Sequence, residues 1–223
     1  MVKRTLFFAF FLAALMLASG CVQDPVASAN AACGNLPDKE KKLDCYLNFA
    51  EEKKEPLICE KIPVELLKDI FDKDYCYEKV AVAKQDVSVC DKISRAQLSL
   101  TEDACYRGFC NQRARAAPTI TSCYYQIAVM EGDSSICGIF YDKYQNSTAE
   151  LTTIGDCYSI IASKKRDPAI CAQIKHNEVK DYCYYELAEF LNDSSLCEKI
   201  PDNATANSFF KGYTKDHCYD EIK

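Results

Sequence analysis

In residues 181–200, DYCYYELAEFLNDSSLCEKI, apolar side chains recur at Cys183, Leu187 and Leu191, with Tyr184 and Ala188 beside them. The i, i+4, i+8 spacing is the stripe of an amphipathic helix. Asn192-Asp193-Ser194 then interrupts the pattern. An acid followed by Ser or Pro marks a helix start, because the carboxylate accepts from free amides of the first turn and Pro suits the first helical position. The stretch therefore predicts a longer helix, a tight turn, and a shorter helix carrying Cys197.

The same order of residues repeats along the chain. Tyrosine follows Cys45, Cys76, Cys105, Cys123, Cys157, Cys183 and Cys218, and never follows Cys33, Cys59, Cys90, Cys110, Cys137, Cys171 or Cys197. The two classes alternate strictly, which is the mark of a repeat. From a Cys-Tyr to the next plain cysteine the distance is 14 residues in five cases: 45→59, 76→90, 123→137, 157→171 and 183→197. In those five, alanine stands five residues after the Cys-Tyr cysteine (Ala50, Ala81, Ala128, Ala162, Ala188) and an acid ten after (Glu55, Asp86, Asp133, Asp167, Asp193). From a plain cysteine to the next Cys-Tyr the distance varies from 12 to 21. A fixed length implies regular structure with a defined turn, and a variable length implies a loop.

Helix geometry selects the cysteine pairing. With a turn near residues 175–177, Cys171 and Cys183 differ in axial height by roughly 3 Å on antiparallel helices, within reach of a bridge. Cys183 and Cys197, about the turn at 192–193, differ by roughly 8 Å, which is poor for a bridge. The expected fold is all-α: an array of short antiparallel helical hairpins, each closed by a bridge. The expected bridges are Cys33–Cys45, Cys59–Cys76, Cys90–Cys105, Cys110–Cys123, Cys137–Cys157, Cys171–Cys183 and Cys197–Cys218. Each hairpin alone has little apolar surface, and a closed loop of this size contributes about 3 kcal/mol in the chain-entropy model. The tyrosines are expected to fill grooves between successive hairpins; an exposed tyrosine surface for a ligand is the alternative.

The first twenty residues form a targeting segment. Lys3 and Arg4 precede an apolar run, Leu6 to Leu17, too short to span a bilayer comfortably. The run ends in LASGC, residues 17–21. Small residues before a cysteine resemble the lipobox of prokaryotic lipoproteins, which implies lipidation of Cys21 as the mature N-terminus. Leu17 lies four places before the cysteine, where the pattern prefers three, so an ordinary secretory signal or a retained anchor remains the alternative. The expected organisation is a signal peptide over 1–20, a lipidated tether over 21–32, and a disulfide-rich helical domain over 33–223.

Composition narrows the chemistry. Fifteen cysteines in an exported chain fit an oxidising compartment. Seven Gly and seven Pro in 223 residues favour helices over a turn-rich β fold. Without Lys3 and Arg4 the chain carries 25 basic and 33 acidic residues, a charge of -8, which argues against nucleic acid as a partner. No catalytic, cofactor-binding or metal-binding motif is expected: there are two histidines, no CxxC, no phosphate-binding glycine loop and no G-x-S-x-G.

One unit departs from the pattern. Cys110 stands where the alanine belongs after Cys105, and Thr119 where a plain cysteine belongs. This segment holds Arg107, Arg113 and Arg115, three of the five arginines outside the signal. They read either as a solvated face or as a patch for an anionic partner. Asn146, Asn192 and Asn203 head N-x-[ST] sequons and are candidate glycosylation sites.

The repeat, best seen in Cys59 to Ile62, Cys171 to Ala188 and Cys197 to Ile200, resembles the cysteine-rich helical repeats of prokaryotic, especially archaeal, surface lipoproteins. A weaker resemblance is to disulfide-stapled Sel-like repeats, related to tetratricopeptide arrays. The resemblance implies an extracytoplasmic, membrane-anchored protein of the cell surface. The expected function is binding or scaffolding without catalysis or cofactor. Its partners would be the membrane, through the N-terminal lipid, and a protein or anionic envelope polymer. The alternative is an envelope hydrolase of wall or amide substrates with a site between repeats.

Overall fold

The computed structural model describes residues 24–67, 71–94, 120–144, 148–202 and 213–222. Every regular element among them is helical. The α-helices are α1 (Pro25–Cys33), α2 (Lys39–Lys53), α3 (Pro56–Glu60), α4 (Phe71–Lys84), α5 (Val87–Cys90), α6 (Ile120–Glu131), α7 (Ser134–Tyr144), α8 (Thr148–Lys165), α9 (Ala169–Ala172), α10 (Asn177–Leu191) and α11 (Lys215–Glu221). A 3-10 segment, Ser194–Lys199, takes the place of a short helix between α10 and α11. Residues 25–32, placed in the tether from sequence, lie with Cys33 in α1. Asp24 caps it, Ala29 is fully buried, and it packs on α2. The folded part thus begins before Cys33.

The long helices α2, α4, α6, α8 and α10 pack each on the next in chain order, and α11 follows α10. Helices α3, α5, α7 and α9 each pack on the long helix before and the long helix after; the 3-10 segment does the same between α10 and α11.

The turn that ends each long helix is built the same way five times. The alanine five residues after the Cys-Tyr cysteine is fully buried, and its carbonyl accepts from the amide of the acid five residues on, at 3.0 Å in every case (Ala50/Glu55, Ala81/Asp86, Ala128/Asp133, Ala162/Asp167, Ala188/Asp193). This is the six-to-one bond of a Schellman stop, which requires a left-handed residue between helix and acid. Lys54, Gln85, Gly132, Arg166 and Asn192 supply it, with φ between 53 and 66°. The acid's carboxylate then accepts from the amide two residues on: Leu57, Ser88, Ser135, Ala169 or Ser195. One acidic residue closes the long helix with its backbone and opens the next element with its side chain.

Behind each turn lies the core. The residue before the plain cysteine that follows each turn (Ile58, Val89, Ile136, Ile170, Leu196) is buried, and so is the residue three after it (Ile62, Ile93, Phe140, Ile174, Ile200).

Among the described residues, six disulfides join these elements. Five are those expected: Cys33–Cys45, Cys59–Cys76, Cys137–Cys157, Cys171–Cys183 and Cys197–Cys218, with Cα–Cα distances of 5.6–6.0 Å. The sixth corrects the sequence reading. Cys90 bonds Cys123, at a Cα–Cα distance of 5.8 Å, in place of the expected Cys90–Cys105 and Cys110–Cys123. The reason is packing. Helix α5 lies on α4 and α6, and α6 carries Cys123. Bridging over 33 residues rather than 15 adds only about 0.6 kcal/mol per doubling of loop length, so the helix neighbour decides and not the nearest cysteine.

Candidate functional site

The Cys-Tyr tyrosines are structural in five cases. Tyr46, Tyr77, Tyr124, Tyr158 and Tyr184 are buried. Tyr46 donates to Asn30 Oδ1 at 2.7 Å, and Tyr124 to Asp91 Oδ1 at 2.9 Å, where Lys143 Nζ also reaches the phenol oxygen at 3.2 Å. Burial pushes the Tyr77 and Tyr124 phenols up to about 12. A cavity of about 10 Å3 adjoins the Cys137–Cys157 bridge, lined also by Thr121, Tyr124, Phe140 and Ile154. That is room for about one water.

Of the residues singled out in the sequence, Cys21, Cys105, Cys110, Arg107, Arg113, Arg115, Asn146 and Asn203 lie outside the described residues. Asn192 is described. It is exposed and holds φ 53° at the end of α10. Among the described residues no three His, Cys, Asp or Glu side chains converge to hold a metal, and no helix is long and apolar enough to cross a membrane.

The most chemically distinctive cluster was not singled out in the sequence. It lies where α10 meets α11. Tyr213, just ahead of α11, packs edge-on against Tyr182 and Tyr185 of α10, with ring centroids at 4.8 and 4.9 Å. Edge-to-face contact suits the ring quadrupoles. His217 of α11 stacks on Tyr185 with centroids at 5.7 Å. Tyr182 donates to Asp156 Oδ1 of α8 at 2.6 Å. Three tyrosines from two neighbouring elements and a histidine thus form one aromatic block.

Carboxylates surround that block. The Tyr185 phenol is pushed up by burial first and then by Glu221, Glu189 and Glu186. Burial likewise raises Tyr213, helped by Glu186, Asp156 and Glu189. Glu186 is itself raised: burial dominates, Glu189 and Asp156 add to it, and a hydrogen bond with Tyr182 opposes. Glu189 is exposed, Glu186 is half-buried, and Phe190 beside them is 60% exposed. Chemically the arrangement is an acidic rim, with Glu189 and Glu221 exposed, around rings of which Tyr182 and Tyr185 are buried and His217 is exposed; His217 Nε2 faces Glu221 Oε1 at 3.9 Å.

No family model, curated protein or solved structure matches the chain.

A sequence signal for this cluster exists. Tyr182, Tyr185 and Glu189 fall at i, i+3 and i+7, on one helical face, as do Glu186 and Phe190 at i and i+4. The partner tyrosine, Tyr213, belongs to no repeat position, so only the fold brings it there.

Proposed function

We propose that this chain is a lipid-anchored extracytoplasmic protein that binds or scaffolds at the envelope rather than catalysing a reaction, built as an array of disulfide-closed helical hairpins and related to the cysteine-rich surface lipoproteins it resembles. The observation that carries this reading is the set of six bridges, whose half-cystines are buried except for the half-buried Cys45. Bridges on this scale belong to oxidising compartments, and LASGC ahead of the folded region supplies an anchor. Stacked helices offer an extended surface, the usual basis of binding by helical arrays. On this reading Arg107, Arg113 and Arg115 contribute a positive patch for an anionic envelope polymer or acidic protein, through bidentate contacts that guanidinium favours.

The test is intact mass and peptide mass of the protein taken from its native envelope. The reading expects a chain starting at Cys21 with acyl chains attached and protease access from the outside of intact cells. A chain beginning elsewhere without lipid, or one protected inside the cell, overturns it.

A further inference from the structure

We infer that the junction of α10 and α11 is a docking point for a lysine- or arginine-bearing segment of a partner polypeptide, the cation entering between Glu189 and Glu221 against the His217–Tyr185 stack. This rests on the proposal that the protein acts by binding, and names the chemistry of one partner.

The argument starts from how the helices pair their charges. Among the described residues, five ion pairs over 17 or more residues of chain have the acid earlier and the lysine later: Glu51–Lys79, Glu60–Lys92, Asp91–Lys143, Asp142–Lys175 and Glu198–Lys215; the local Lys84–Asp86 pair within one turn runs the other way. Each acid of the five is answered by a cation from further along the chain.

The first of these pairs has a counterpart at the last junction. Glu51 lies six residues after Cys45 and Lys79 three after Cys76; the matching positions in α10 and α11 are Glu189, six after Cys183, and Glu221, three after Cys218. Lys79 Nζ binds Glu51 and sits 5.6 Å over the Tyr75 ring, the residue before Cys76. The residue before Cys218 is His217, the ring stacked on Tyr185. The last junction therefore repeats the acid and the ring of the first, and replaces the lysine with a second glutamate, whose Oε1 stands 3.9 Å from His217 Nε2, a partner that is a cation only when protonated. Both glutamates act on the same Tyr185 phenol. Lys79 shows which chemistry the arrangement accepts: an ammonium on a flexible stem, over a ring and against a carboxylate.

The end of α10 carries the same deficit. Helices α2, α4 and α8 end with Lys53, Lys84 and Lys164 with Lys165, and α6 receives Lys164 Nζ on the Val129 carbonyl at 3.4 Å. Cations there answer the partial negative charge of a helix C-terminus. The last turn of α10 has no basic residue and holds Glu189. Exposed Phe190 alongside gives a partner an apolar contact next to the charge. The occupant that complements all of these is a basic peptide segment.

The test uses the mature protein, purified in detergent with its N-terminal modification intact and labelled with 15N, titrated with a twelve-residue Lys/Arg-rich peptide. Amide shifts are expected to concentrate at residues 185–191 and 213–221, and to fade with added salt. Glu221→Lys supplies a lysine from within, as Lys79 does. It should weaken peptide affinity at least tenfold while all six bridges and the thermal midpoint are retained. Glu52→Gln, an exposed acid on α2, should leave affinity within twofold. Shifts spread over the whole acidic surface, no localised shift at millimolar peptide, or equal affinity in Glu221→Lys would each overturn the inference. Lipid attachment is read separately by mass, so failure here is distinguishable from failure of the anchored-protein reading.

Discussion

Replacing Asp181 with asparagine should stabilise this protein at neutral pH and leave it unchanged in acid. Asp181 is only 8% exposed, and burial, assisted by Glu178 and opposed by Lys180, pushes its carboxyl up to about 6. Asp74 is the matching carboxyl: burial raises it as well, and the Ser94 amide opposes that rise. Both residues stand two before a Cys-Tyr cysteine. Asp74 accepts from the Ser94 amide at 2.9 Å, and Ser94 follows Cys90 by four. The residue four after Cys197 is Pro201, which has no amide hydrogen to give. At the Asp181 position the acid is kept and the matching donor is lost.

The sign of the effect follows from linkage. A carboxyl near 4 in the unfolded chain and about 6 when folded binds its proton more tightly in the native state. Its favourable contribution is complete below pH ~4 and disappears as pH rises through 6. Two pH units correspond to about 3 kcal/mol as an upper bound. Partial contact with solvent and the cost of burying an asparagine amide reduce the gain, to about 1–2 kcal/mol at pH 7.5. For a domain of this size that is a rise of roughly 2–8 °C in midpoint. Thermal unfolding followed by circular dichroism between pH 4 and pH 7.5, disulfides intact, reads it. The curves for Asp181→Asn and the unaltered protein should converge at the acid end and separate above pH 6. Parallel curves, or a variant less stable at pH 7.5, would refute the account.

Three further outcomes are expected. Non-reducing peptide mapping should recover a Cys90–Cys123 cross-link and place Cys105 and Cys110 in peptides bound to neither; a Cys90–Cys105 peptide would contradict the stacking of α5 on α6. Glycine at Arg166, whose φ is 53°, should raise stability by about 0.5–1 kcal/mol by relieving the left-handed backbone, offset in part by unfolded-state entropy, whereas Gly132→Ala in the matching turn should lower it by about 1 kcal/mol in chemical denaturation. Replacing Arg107, Arg113 and Arg115 together with glutamine should leave the unfolding midpoint unchanged and remove salt-sensitive adsorption to anionic envelope polymer in a sedimentation assay; undiminished adsorption would rule that patch out.

Much of the architecture was legible because each signal was local. The acid ten after a Cys-Tyr cysteine, followed by Ser or Pro in four of five cases and by Val87 in the fifth, marks the turns, and all five acids cap. The left-handed residue before each acid was not legible, since four of five are Lys, Gln, Arg or Asn and only Gly132 announces itself. The misassigned bridges had a visible warning. Cys105 lacks the alanine and the acid that follow Cys123, and the five cysteines with both marks are those on α2, α4, α6, α8 and α10. The turn motif that defines a long helix, and not nearness of cysteines along the chain, decides the pairing. The α10–α11 cluster was hidden for another reason: Tyr213 comes from a variable segment, and sequence pattern says nothing of where such a residue lands.

The tyrosine after one cysteine and the residue after its bonded partner are best understood together. Across a bridge the two lie side by side. Tyr124 donates to Asp91, which follows Cys90, and Tyr219 donates to Glu198, which follows Cys197. The Tyr77 phenol is raised in part by Glu60, which follows Cys59. Where the bridge joins Cys137 to Cys157, the residue after Cys137 is Gly138, and a Cβ there would stand 2.9 Å from the Tyr158 hydroxyl. Across the 90–123 and 197–218 bridges the position after the plain cysteine offers an acceptor to the phenol, and across the 137–157 bridge it withdraws to admit it; across the 33–45 bridge the phenol turns to Asn30 instead. A phenol is long enough to reach across the bridge and carries a donor at its tip. Phenylalanine would reach without donating, and a serine would donate without reaching. That combination explains why tyrosine recurs after one cysteine of each bridge, while the other cysteine is followed by residues as different as Glu, Asp, Gly and Ala.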